Sequence, residues 1–75
     1  MVQNLTDNAL FKALDKKYDA DIAAAYATAS IYFDNPVGIG EHPQHLEELD
    51  KLISLISSAE GKKRTLLQHF TNKQV

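Results

Sequence analysis

Asp34-Asn35-Pro36-Val37-Gly38-Ile39-Gly40-Glu41-His42-Pro43 holds both prolines and two of the three glycines of the 75-residue chain. Proline fixes φ and removes a backbone donor, and glycine opens φ > 0, so a cluster of both interrupts any regular element. The composition changes this sharply at one place, and the chain divides into two arms around a loop at about 34–42.

In the first arm Phe11, Leu14, Tyr18, Ile22, Ala25, Ala29 and Tyr32 recur every three or four residues, which puts them on one face of a helix and not on one face of a strand. Thr6 or Asp7 is a suitable N-cap and Asp34-Asn35 before Pro36 a natural stop, predicting a helix over about 7–33. The second arm repeats the pattern with Leu46, Leu49, Ile53, Ile56, Leu67 and Phe70, and Leu52, Leu55 and Leu66 widen the stripe. Pro43 suits a first helical turn, Glu47, Glu48 and Asp50 lie near the positive end of the helix dipole, and Lys62, Lys63 and Arg64 lie toward the other end. One helix over about 43–70 is expected, with a break at Ser58 to Lys62 as the lesser reading because Gly61 costs about 1 kcal/mol relative to Ala in a helix interior. The tail 71–75 is expected to fray.

Two helices of similar length joined by a short loop run antiparallel if their stripes are to meet, which makes the expected fold an all-α helical hairpin in a single domain. No disulfide supplements so small a core, because the chain has no cysteine. The run Ala23-Ala24-Ala25-Tyr26-Ala27-Thr28-Ala29-Ser30 lets another backbone approach closely, and Ile31, Phe33, Leu52 and Leu55 spread apolar surface beyond one partner's reach. The expected answer is a homo-oligomer, most simply a dimeric four-helix bundle of coiled-coil character. Tyr18, Ile22, Ala25, Tyr26, Ala29, Leu49, Leu52, Ile53, Leu55 and Ile56 are its candidate interface.

Chemistry is sparsely represented. Eight Lys and Arg against ten Asp and Glu give a formal charge of -2, which provides no field for nucleic acid or anionic membrane. The N-terminal residues show no signal-peptide pattern and no window approaches a membrane span. Glu41, His42, His45 and Glu48 crowd near the second helix start, yet no recognised ligand spacing accompanies them, so no metal or other cofactor is expected and the residues read as a polar helix start. Asp15, Asp19 and Asp21 with Lys16 and Lys17 read as a solvated helix face, since acid–base work needs a pocket that a two-helix hairpin does not offer. Ser30, Ser54, Ser57 and Ser58 have no nucleophile-elbow glycines around them, and no enzyme is expected. Lys62-Lys63-Arg64 is short for a nucleic-acid surface, and Gly38-Ile39-Gly40 lacks the strand and the Lys-Ser/Thr ending of a phosphate loop.

The stretch from Tyr32 through Asn35-Pro36-Val37-Gly38-Ile39-Gly40-Glu41-His42-Pro43, then Glu47-Glu48-Leu49-Asp50-Lys51-Leu52-Ile53 and Leu66-Leu67-Gln68-His69-Phe70, resembles small helical proteins of T-even-type tailed bacteriophages, including cyanophages. The resemblance covers about half the chain and brings no functional residues with it. It implies origin: a viral protein acting in the host bacterial cytoplasm or carried in the virion. Val37, Ile39 and His42 then have two readings. They form a plug folded back over the hairpin against Phe33 and Leu46, or a presented tip that meets a bacterial host protein or another phage protein. The expected function is a structural or adaptor role by protein–protein contact through self-association. The alternative is a host-directed regulator or inhibitor that binds a bacterial protein through its apolar helix face or loop tip.

Overall fold

A computed structural model describes residues 2–34 and 44–74. In chain order they form a short strand β1 (Val2–Asn4), a 3-10 turn at Leu5–Asp7, helix α1 (Ala9–Asp34), helix α2 (His45–Phe70) and a second short strand β2 (Asn72–Gln74). The two helices pack against each other along their length as the expected hairpin. The loop and its candidate tip residues Val37, Ile39 and His42, together with Glu41 and Pro43, lie outside the described residues.

The first helix starts two residues later than its sequence predicts, and the cap is neither Thr6 nor Asp7. Those residues are taken up by the 3-10 turn, closed by the Asn8 N–H donated to the Leu5 carbonyl at 3.0 Å. Asn8 is left in the capping position, where its Oδ1 accepts from the N–H groups of Leu10 at 2.9 Å and Phe11 at 3.2 Å. Two of the otherwise orphaned first-turn donors are satisfied by this one side chain. At the start of α2, Gln44 occupies the N-cap without a side-chain capping bond. There Glu47 and Glu48 in the first turn offset the dipole instead.

Gly61 does not break α2, which runs unbroken from His45 to Phe70. A Cβ built on Gly61 meets nothing within 4 Å, so the glycine makes no room for a neighbour. Its cost is the ordinary entropic one, and Gly61→Ala is expected to raise stability by about 0.5–1 kcal/mol, read as a higher midpoint in urea or heat.

The tail also departs from expectation. Instead of fraying, β2 pairs antiparallel with β1 in the register Val2 with Gln74, Gln3 with Lys73 and Asn4 with Asn72. The Leu5 N–H donates to the Thr71 carbonyl at 3.3 Å, continuing this ribbon into the first turn. The ribbon ties the ends of the two helices opposite the loop.

Between the helices the buried apolar side chains, among the described residues, are Phe11, Ala25, Ala29 and Ala59. Alanine at three of these positions brings the helix axes close and makes the core thin. The body measures 58 × 16 × 15 Å with a radius of gyration of 16.8 Å, against about 11 Å for a compact domain of this length.

Candidate functional site

The most polar contact between the helices centres on Lys63. Its Nζ donates to Asp19 Oδ1 at 2.5 Å and lies 3.6 Å from Asp15 Oδ1, so one cation on α2 bridges two carboxylates one turn apart on α1. Asp15 is half-buried, and its Oδ1 is a buried oxygen that accepts no hydrogen bond. The expectation that Asp15 and Asp19 share a purely solvated face is therefore corrected. Their edge of α1 borders α2, and the side chains are held across the groove.

The same geometry revises the reading of Lys62-Lys63-Arg64. The run ends two turns before Phe70, beyond the last turn in which a helix dipole is felt. Lys62 and Arg64 remain exposed, whereas Lys63 is half-buried between the helices. Leu52, Ile56, Ala59, Lys63 and Leu66 follow one four-three-four-three phase, so Lys63 occupies a core-facing position that the apolar stripe skips.

The hydrogen bond to Asp19 is the main cause of a raised Lys63 pKa; desolvation opposes it and Asp15 adds to it. A lysine raised in the folded state contributes stability in full below its unfolded value, about 10.4, and loses it as pH rises through the folded value. Thermal stability is therefore expected to fall above about pH 10. The fall should be shallower in Lys63→Met; equal slopes would show that the bridge does not form. Lys17, paired with Asp21 at 2.8 Å on the α1 surface, is raised mainly by that hydrogen bond and adds a dependence of the same sign.

His45 stands against Tyr32, with ring centroids 5.6 Å apart and the rings edge to face at 76°. This contact joins the two helices at their loop ends. Among the described residues no group of three or more His, Asp or Glu side chains is placed to hold a metal ion. None of the described helices is long and apolar enough to cross a membrane.

The candidate interface residues divide by position. Ala25 and Ala29 are already buried, while Tyr18, Ile22, Leu49, Leu52 and Ile56 are half-buried along the helix pair. Tyr26, Ile53 and Leu55 stand in solvent at 66%, 51% and 56% exposure. Phe33 at 68% and Leu46 at 81% are exposed in the same half of the molecule and were not among the candidate interface residues. Their signal was present in the spacing, since Phe33 lies seven residues beyond Tyr26 and Leu46 seven before Ile53.

The Lys63 bridge determines which helix edges share one flank of the hairpin. Seven and fourteen residues on from Asp19 lie Tyr26 and Phe33; the same steps back from Lys63 reach Ile56 and Leu49. Leu67 lines a groove with Lys12, Asp15 and Lys16 on this flank, and two and three heptads before it come Ile53 and Leu46. One flank near the loop thus carries Tyr26, Phe33, Leu46 and Ile53, while Ile31 at 51% exposure and Leu55 lie toward the other. Alongside it the opposite flank carries Lys17, Asp21, Thr28, Leu55 and Lys62 about a shallow groove.

Comparison with protein-family models, with curated proteins and with solved structures finds no match for this chain.

Proposed function

We propose that this chain is a non-enzymatic protein that works by protein–protein contact, with a structural or adaptor role, and that it self-associates as a dimeric four-helix bundle. The observation that carries the reading is the exposure of Tyr26, Phe33, Leu46 and Ile53 on a hairpin whose covered apolar side chains are one phenylalanine and three alanines among the described residues. A helix pair so thinly cored gains from burying a further apolar surface, and oligomerisation is a common support for small domains. The charged groups that do converge, Asp15, Asp19 and Lys63, are used in joining the helices. The Asn35-to-Pro43 string supports placing this activity in a phage-infected bacterial cell or in the virion.

Light scattering over a wide concentration range, with helicity followed on the same samples, tests the proposal. A dimer of constant mass and high helicity is the expected result. A fully helical monomer throughout the range would overturn it.

A further inference from the structure

We infer that the second copy seats on one particular flank of the hairpin, the one bearing Tyr26, Phe33, Leu46 and Ile53, and leaves the Leu55 flank open; this rests on the self-association reading above. Three observations carry it.

The first is area. The chain exposes 5769 Å², whereas a folded monomer of 8.4 kDa exposes about 4,600 Å². The surplus of roughly 1,200 Å² exceeds the roughly 800 Å² that each partner contributes to a standard stable interface.

The second is charge. From Ile22 to Phe33 and from Leu52 to Ala59 no residue is charged on any side of either helix. A helix uncharged all round is built for burial on more than one side. The hydroxyls in this belt are partly satisfied from within: Ser30 Oγ donates to the Tyr26 carbonyl at 2.9 Å and Thr28 Oγ1 to the Ala24 carbonyl at 3.1 Å. Covering them leaves fewer orphaned donors. Charge does not separate the flanks, since the Leu55 side carries Lys17 and Asp21 and the other side Asp15, Asp19 and Lys63. The choice rests on the larger exposed apolar set, Tyr26, Phe33, Leu46 and Ile53 against Ile31 and Leu55.

The third is shape. On the apolar flank Tyr26 and Phe33 stand next to Ala23, Ala27 and Ser30, and Ile53 next to Ser57. Large side chains beside small ones make knobs and recesses on one surface, which is what a two-fold axis needs if a patch is to match itself. A two-fold arrangement centred on the uncharged belt also keeps the charged ribbon-end halves of the two copies away from the contact.

The test uses the full chain. Ile53→Glu places a carboxylate in the shared surface and is expected to weaken the dimer about a hundredfold, while Leu55→Glu on the other flank changes it by no more than a few-fold. A second measurement does not depend on disruption. Because the chain has no cysteine, Ser30→Cys on the apolar flank and Thr28→Cys on the other each accept a single spin label. The distance between copies is expected to be shorter for the label at 30. The reverse order, or a dimer broken by Leu55→Glu and spared by Ile53→Glu, would overturn the flank assignment while leaving self-association standing. Unlabelled chain that stays monomeric at every concentration would overturn both.

Discussion

Ala29→Asp is expected to abolish the folded hairpin at room temperature, with far-UV dichroism falling to that of an unfolded chain. Ala29 is buried against α2 in the same row as Ala25. A carboxylate there finds no unpaired cation: Ile22–Phe33 contains no Lys or Arg, and the Tyr32–His45 contact sets Ala29 opposite the first turns of α2, where Lys51 is paired with the half-buried Glu48. Burying an unpaired charge costs several kcal/mol, whereas a core of this size supplies roughly 3–5 kcal/mol in all. The added volume works in the same direction, since alanine at positions 25, 29 and 59 is what lets the helices approach. The matched control is Ala13→Asp, which puts the same charge on an exposed position of the same helix and should stay within about 0.5 kcal/mol of the parent. Equal melting temperatures for the two variants would mean that α1 does not present Ala29 to α2.

This expectation follows from a pattern legible in the sequence itself. The heptad-like recurrence of Phe11, Ala25 and Ala29 and the Pro/Gly cluster after Asp34 dictate two helices that fold back on each other, and the structure agrees to within about two residues at each helix end. What spacing alone did not reveal has physical causes. Asn8 displaced Thr6 and Asp7 as the cap because a 3-10 turn absorbed both, a choice made by backbone bonds and not by side-chain preference. The ribbon between Val2–Asn4 and Asn72–Gln74 is two three-residue strands too short to show alternation, and their pairing joins opposite ends of the chain.

The Lys63 bridge was hidden for another reason. A lysine in a stripe position reads as the edge of the stripe, so the core-facing phase of Ala59, Lys63 and Leu66 was masked by the neighbouring Lys62 and Arg64. Its partners were equally disguised, since Asp15 and Asp19 sit among lysines that make them look like one solvated face. Once the bridge is placed, the phase of both helices follows, and so does the flank that gathers Tyr26, Phe33, Leu46 and Ile53. A single polar contact therefore orients the apolar surface by which the protein is proposed to act.

Phe11→Ala is expected to cost about 2–3 kcal/mol, less than the usual range of about 3–5 for a fully enclosed aromatic side chain because the ring borders open grooves on two sides. Phe11 is the largest of the covered side chains, 8% exposed, and with Leu5, Leu14, Leu66 and Phe70 it lines the apolar groove where the ribbon meets the helices. It also receives part of the cap, its own N–H donating to Asn8 Oδ1. Removing the ring should therefore loosen the ribbon end first. Hydrogen exchange at the Leu5 N–H, bonded to the Thr71 carbonyl, is expected to accelerate more than exchange at Ala25 in the middle of α1. Leu10→Ala is the comparison that gives the result its meaning. Leu10 is one residue away and borders the same groove, but it is 77% exposed, so truncating it should change stability little. Similar losses for both variants would place the helix phase between them and undo the packing on which the apolar flank depends.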